Sequence, residues 1–376
     1  MGQSPQGVDT LGLASPTAPT MRLPLCCLLA LSACSSDDSG GMDPAPPPET
    51  ESFYFCSDRT GNFELFCLEA GEELQLTDDS AFDSWWPRLS PQGDRMLFYR
   101  TTIADRPPTG GWDNNYEDAA LWGMDYPDGT PEELIPDDAN GWITQGVVDW
   151  SPDGTKLVMA AQSMPDANRW HLFVAEPDGT NPTRITTRTS LYIDPSWSSD
   201  GTRIVCAAFP PDYTGIDLAF LEIYTMAADG TDEQRLTDDN LRDHDPYWSP
   251  DGTRIAFETA VDPELFGVGR WALRTIAPDG SDLQTVIDDG NINTLPRWSP
   301  DSTELYFHRL VFGGPGKFFT ARIGTDGSGY EVLTAGGDYD DVDIDLVPPL
   351  SSSATGPRND AWILLDGRPI GRQLAR

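Results

Sequence analysis

The sequence is short of positive charge: 24 Lys and Arg stand against 61 Asp and Glu, giving a formal net charge of -37 and a pI near 4.1. A surface that grips phosphate must cluster Lys and Arg, so nucleic acid is excluded as a partner, and anionic lipid headgroups repel such a chain. Histidine is scarce too. The three that occur, His171, His244 and His308, are widely separated, and none belongs to an HExxH pair. The GxSxG turn that presents a nucleophilic serine is missing, as is the DxDxDG loop of a calcium site. Asp runs such as "DYDDVDIDL" therefore read as solvated loops ahead of Ca²⁺ ligands. No apolar run reaches the ~20 residues that a membrane-spanning helix needs. These absences argue against an enzyme, and no metal or cofactor is expected.

Turn formers are plentiful. With 35 Gly and 33 Pro in 376 residues, and 38% apolar and 10% aromatic content, the composition fits a globular chain of many short strands. The N-terminal part is different. From Met21, "MRLPLCCLLALSACSSDD" has one Arg, a short apolar run and small residues before a cysteine, the order of a signal peptide. Leu31-Ser32-Ala33-Cys34 resembles the bacterial lipobox, which implies a lipidated Cys34 at the mature N-terminus. Two or more acyl chains anchor stably where one does not. Ser35 after the cysteine implies, on that resemblance, sorting to the outer membrane. Residues 1–20 lie upstream of this better start, and residues 35–50 read as a flexible linker.

Export implies an oxidising compartment. Cys56 and Cys67 sit in two apolar runs joined by the turn-rich "SDRTGN", so a disulfide across a hairpin is expected there; Cys206 reads as a core residue.

One phrase recurs five times, at Ser90, Ser151, Ser198, Ser249 and Ser299: "RLSPQGDRMLFYR", "DWSPDGTKLVMAA", "SWSSDGTRIVCAA", "YWSPDGTRIAFET" and "RWSPDSTELYFHR". The spacing is about fifty residues after an insertion in the first step. Each unit reads as strand a ending at the Trp, a Ser-Pro-Asp-Gly turn, strand b, strand c, an Asp-Gly turn and a short strand d. The segment 52–77 supplies b, c and d without a, while "GDYDDVDIDLVPP" supplies a lone a. The expectation is an all-β, six-bladed β-propeller of four-stranded antiparallel blades, closed by a blade shared between the two ends, with each Trp wedged between blades. The domain plan is 1–33 upstream extension and signal peptide, 34–51 lipidated Cys and linker, 52–349 propeller, and 350–376 tail, in which "AWILL" can add a strand.

"PYWSPDGTRIAF" and "PSWSSDGTRIVC" resemble the WD-like repeat of TolB-type propellers over roughly residues 52–347. Leu89 for Trp, Ser199 for Pro and Ser302 for Gly depart from it. The resemblance implies a role at the bacterial cell envelope, with the propeller in the periplasm or at the cell surface. It also reaches prolyl oligopeptidases, whose hydrolase half is missing here, and metal-dependent pectate-type lyases, which use several His. A metal-dependent polysaccharide lyase or hydrolase-like propeller enzyme is thus the alternative to a non-catalytic binding module.

Antiparallel order puts the a–b and c–d turns on one face and the longer b–c and d–a loops on the other, where binding residues are expected. That face collects Trp85, Trp86, Trp112, Tyr116, Trp142, Tyr192 and Tyr213, with Asp194, His244 and Asp245 as its polar members. Aromatics beside acids suit an envelope protein, peptide or glycan better than a phosphate.

Overall fold

A computed structural model describes residues 52–346 except 70–71, 106–117, 164–168, 216, 240, 263–268, 315 and 335–339, together with the backbone of 361–365 and 368–373. Cys34, Trp112, Tyr116 and the whole leader lie outside the described residues.

The repeated phrase explains itself at its turn. In "SPDG" the Ser151 Oγ donates to Asp153 (2.7 Å) and accepts the Lys156 N–H (2.9 Å), while the Gly154 N–H reaches the Ser151 carbonyl (2.8 Å). Asp153 also accepts from the Thr155 N–H and hydroxyl. Ser151, Asp153 and Gly154 thus each close a bond that reverses the chain, and Pro152 presets φ. The last copy lacks the glycine, and Ser302 itself adopts the left-handed conformation, φ 63°, with its N–H still on the Ser299 carbonyl at 2.9 Å.

These turns join strands in the expected order. The chain begins with β1 (Phe53–Ser57), β2 (Glu64–Glu69) and β3 (Glu72–Gln75). Next come β4 (Phe82–Leu89), β5 (Arg95–Thr102), β6 (Ala120–Asp125) and β7 (Glu132–Ile135), then β8 (Trp142–Trp150), β9 (Leu157–Ser163), β10 (Trp170–Ala175) and β11 (Thr183–Arg184). They are followed by β12 (Tyr192–Trp197), β13 (Arg203–Ala208), β14 (Glu222–Ala227) and β15 (Gln234–Arg235). The later strands are β16 (Arg242–Trp248), β17 (Ile255–Ala260), β18 (Trp271–Ile276), β19 (Gln284–Ile287), β20 (Ile292–Trp298), β21 (Glu304–Leu310), β22 (Phe319–Gly324), β23 (Glu331–Val332) and β24 (Asp341–Leu346).

Strands β4–β7, β8–β11 and β12–β15 each form a four-stranded antiparallel sheet. Strands β16–β23 form one eight-stranded sheet in which two such groups touch through a single parallel bridge, Trp271 to Ile292. β24 pairs antiparallel with β1 and completes the sheet β24-β1-β2-β3. The inner strands pack in a cycle, β4 on β8, β8 on β12, β12 on β16, β16 on β20, β20 on β24 and β24 back on β4. The result is an all-β propeller of four-stranded antiparallel blades. β25 (Ala361–Leu365) and β26 (Arg368–Gln373) pair with each other as a hairpin, rather than "AWILL" adding one strand to a blade.

The tryptophans are wedges. Trp150 donates its indole N–H to the Arg88 carbonyl of the preceding inner strand (3.2 Å), and Trp298 does the same to Tyr247 (2.9 Å). Both are buried, as are Trp197 and Trp248 in the same position. Each wedge fills the gap between neighbouring sheets with a large apolar surface, which Trp150 and Trp298 also tie with a polar tip, while the indole N–H groups of Trp197 and Trp248 have no acceptor.

The expected disulfide is absent. The β1–β2 register sets Cys67 opposite Tyr54 and Cys56 opposite Leu65, so the two residues are diagonal rather than facing. Both are buried in the core with Leu65 and Leu97.

Candidate functional site

Every inner strand breaks its pairing with the second strand of its sheet at the same place. The register slips between Trp85 and Arg88, Gly146 and Val148, Ile193 and Ser196, His244 and Tyr247, and Thr294 and Arg297. The residue inside each slip has a left-handed backbone: Trp86 (φ 52°), Val147 (46°), Asp194 (52°), Asp245 (50°) and Leu295 (53°). A bulge with positive φ on a non-glycine residue costs about 1–3 kcal/mol. Its recurrence shows that the inner edge of the propeller is built around it, because one extra residue re-aims the side chains that follow.

Two tiers of inner-strand residues result. The bulge tier is apolar at Trp86, Val147 and Leu295 but acidic at Asp194 and Asp245, which meet His244 between β12 and β16. His244 Nδ1 is hydrogen-bonded to Asp245 and stands 3.8 Å from Asp194, while its Nε2 lies 2.9 Å from Glu258. All four residues are buried. Burial alone would depress the imidazole, but Glu258 and Asp245 overcome it and push His244 up to about 9. Burial, then the neighbouring Asp245, raises Asp194 to about 8, and neither of its oxygens has a hydrogen-bond partner. Asp245 itself is held low: burial opposes this, and contact with His244 outweighs it. The surrounding carboxylates thus favour the charged imidazole at the centre of the cluster.

Asp194, His244 and Asp245 have ligand atoms close enough to hold a metal ion, as do Glu222, Asp239 and Asp243. In the second group the donors are already engaged, and in the first those of His244 and Asp245 are, while Asp194 is not hydrogen-bonded. His244 has carboxylates at both ring nitrogens, Glu222 takes Thr237 and Arg235, Asp243 takes Thr259, and Asp239 takes Arg274.

The second tier lies at the turn end of the strands, at the residue before each wedge: Arg88, Asp149, Ser196, Tyr247, Arg297 and Asp345. Here the inner strands surround an open recess of about 290 Å³. Its walls are the wedges Trp150, Trp197, Trp248 and Trp298 and the turn prolines Pro91, Pro152, Pro250 and Pro300. Asp149 spends its carboxylate on the Trp197 N–H of the next strand (2.8 Å), and burial raises it to about 6. Asp345 is likewise raised by burial, against which Arg88, Arg297 and the backbone of Leu346 and Leu89 act.

Four of the aromatics expected on the loop face are placed otherwise. Trp85, Trp86, Trp142 and Tyr192 lie within strands and are buried, because β4, β8 and β12 begin earlier than the sequence suggests and the bulge absorbs a residue. Trp85 stacks on Trp86 (5.4 Å between ring centroids), Trp142 tilts onto Phe173 (4.9 Å), and the Tyr192 hydroxyl binds Glu233. Tyr213 is half-buried, stacked on Phe220 at 4.5 Å, with its hydroxyl accepting the Asp217 N–H. Of the ten, the structure brings together Asp194, His244 and Asp245 as one cluster and Trp85 with Trp86 as one stack. The turn-end tier escaped sequence reasoning, although a signal was present: the residue before the wedge switches among Arg, Asp, Ser and Tyr inside an otherwise fixed phrase.

No family model matches the chain. An uncharacterized protein of Agrobacterium fabrum is 31% identical over 113 residues, covering 29% of this chain and 36% of that one. The Tol-Pal system protein TolB of Alcanivorax borkumensis is 29% identical over 108 residues, 29% of this chain and 24% of its own. The matched stretch is thus about a third or less of the length of these curated relatives. Among solved structures, TolB from Acinetobacter baumannii shares the fold with a TM-score of 0.61 at 13% identity, over 81% of this chain and 68% of that one. A putative TolB from Agrobacterium tumefaciens gives 0.55 at 19%, over 80% and 99%. An oligogalacturonate lyase in complex with manganese gives 0.52 at 12%, over 84% and 77%.

Proposed function

The chain is a TolB-like β-propeller, and from that premise we propose that it is a non-catalytic binding scaffold of the bacterial cell envelope that engages a polypeptide partner at the turn-end mouth of its central channel. In this reading the eight-stranded sheet is two blades, the propeller has six, and β24 beside β1 is the shared blade that closes the ring. Cys34, when lipidated, tethers it through the 35–51 linker.

The observation that carries the reading is the open recess walled by tryptophan and proline. Rigid aromatic walls around a concavity suit a peptide, since they offer large contact area at little entropic cost. The imidazoles supply no contrary sign. His244 sits between carboxylates, His171 meets Thr186 at 3.2 Å, and His308 Nε2 accepts the Ile344 N–H of β24 at 2.9 Å. His308 is held neutral by burial, at about 3. Each therefore has a structural task, which favours the binding module over a lyase or hydrolase.

A photoreactive side chain placed at Ser199, on the recess rim, tests the proposal in intact cells. The expected result is an adduct with an envelope polypeptide that a probe at Asp128, in another turn, does not give, and release of the protein from the membrane fraction in Cys34→Ser. Equal labelling from both positions, or none from Ser199, defeats the mouth as the binding site.

A further inference from the structure

The wall and the rim of the turn-end mouth each hold bonding capacity that the fold leaves over. Trp197 and Trp248 line the recess, and their indole N–H groups have no acceptor, whereas Trp150 and Trp298 commit theirs to the preceding inner strand. A buried donor left unpaired is costly, so an acceptor brought from outside is favoured. The rim offers charge. One residue beyond the wall members Pro152, Ser199, Pro250 and Pro300 stand Asp153, Asp200, Asp251 and Asp301, all exposed. Each carboxylate accepts from the Ser and Thr of its own turn, as Asp200 does from the Ser198 hydroxyl (2.7 Å) and the Thr202 N–H (2.9 Å). Such bonds, from Ser198 and Ser299 first, hold Asp200 and Asp301 below the usual carboxylate range and keep them anions. The basic residues nearest the turns, Lys156, Arg203 and Arg254, are paired elsewhere, with Glu176, Asp232 and Asp282. Farther out, Asp178, Asp229, Asp279 and Asp326 of the c–d turns repeat the pattern, each accepting a hydroxyl at 2.6 Å, with Arg95 acting on Asp178 at longer range. Inside the recess, Arg88 and Arg297 are answered by Asp345, Asp149 and Asp245, so the excess charge of this face is negative and sits on its rim.

We propose that the part of the partner that enters the mouth is basic and extended: its backbone carbonyls accept the indole N–H groups of Trp197 and Trp248, and its Lys and Arg side chains pair with the carboxylates of the rim. A segment of polyproline type leaves its carbonyls unbonded and ready to accept, which a helix does not. The cavity holds about ten waters at ~30 Å³ each, room for a few residues of such a segment and not for a folded element. The need for an acceptor separates a peptide from a polyamine or a metal ion, which bring positive charge and no carbonyl. This rests on the scaffold reading and deepens it by naming the chemistry of the partner.

Titration of the purified full chain with blocked peptides of one length, N-acetyl-Gly-Pro-Lys-Pro-Lys-Pro-Gly amide and its Gln counterpart, read by calorimetry and tryptophan fluorescence, decides the point. At about 50 mM salt the Lys peptide should bind at least about tenfold more tightly than the Gln peptide, and about 500 mM salt should erase that preference. Asp200→Asn combined with Asp251→Asn should remove most of the Lys preference and leave the Gln peptide unchanged. Trp248→Phe should weaken both peptides alike, with unchanged melting temperatures showing that the variants fold. Equal binding of the Lys and Gln peptides sinks the proposal. So does no binding of either at millimolar concentration, a Lys preference that survives the two Asp changes, or competition by spermine or Ca²⁺ as strong as that by the Lys peptide. A cross-linked envelope partner at Ser199 without Lys preference would leave the scaffold and remove the basic segment; Lys preference without an envelope adduct would do the reverse.

Discussion

One step along the inner strands separates two groups of buried charge that the fold treats in opposite ways. In the bulge tier, His244 is clamped by Asp245 and Glu258 with Asp194 alongside, and the charges answer one another. At the turn-end mouth, Arg297 has a carbonyl and an aromatic face at close range and the charges of Asp345 and Asp245 farther off, beside an open cavity. Burial is nearly the same in both tiers. What differs is where the balancing charge sits: against the imidazole in the bulge tier, and at longer range around an open cavity in the other.

The largest expected effect follows from removing the central charge of the satisfied tier. His244→Ala would leave Asp245, Glu258 and Asp194 buried without their cation, and breaking such a group costs about 3–5 kcal/mol. Arg297→Gln removes a buried charge whose balancing carboxylates stand at longer range, and should cost less than His244→Ala. Urea unfolding of the two variants reads the difference directly. Equal losses would erase the distinction between the tiers.

Stability against pH sharpens the same contrast. Asp194 is raised to about 8 and His244 to about 9. A group whose folded pKa lies above its unfolded value contributes stability below the unfolded value and loses it as pH rises through the folded one. For Asp194 the loss runs from about 4 to 8, and for His244 from about 6.5 to 9. The melting temperature should therefore fall steadily from pH 6 to pH 9. Asp194→Asn should flatten the lower part of that slope and raise the melting temperature at pH 8–9, while Arg297→Gln leaves the slope intact. A flat profile for the wild-type protein would mean that the cluster is not the charge-sharing group its geometry describes.

Much of this architecture was legible because it is written in local chemistry. Ser-Pro-Asp-Gly encodes a turn that hydrogen bonds within six residues can complete, and a Trp before it encodes the wedge. The lone "DVDIDL" strand pointed to a mate elsewhere, and β24 does pair with β1. The site was less legible, because it depends on what happens between blades. Nothing in "DSWWPRL" announces that Trp86 takes a left-handed backbone and that Trp85 and Trp86 turn inward as a buried stack. The disulfide expectation failed for a similar reason: one hairpin's composition predicts two facing strands but not their register, and a two-residue offset separated Cys56 from Cys67. Arg88 and Arg297 went unremarked because each stands in a different repeat, and only the ring brings them together.

The smallest effect belongs to charge pairs of the outer rim, and it completes the gradient. Arg254 reaches from β17 to Asp282 (2.7 Å) and to the Asp282 carbonyl, and Arg203 makes the same clasp from β13 to Asp232 (2.8 Å). In form these are better ion pairs than anything Arg297 has. Yet Asp282 and Asp232 are exposed, water screens them, and side-chain ordering offsets most of the Coulomb gain. Arg254→Gln should leave the urea midpoint unchanged within measurement, whereas the same kind of change at His244 unfolds the protein readily. If Arg254→Gln proved as damaging, the position of a charge relative to the axis would not be what sets its weight, and the contrast between the two inner tiers would lose its physical basis.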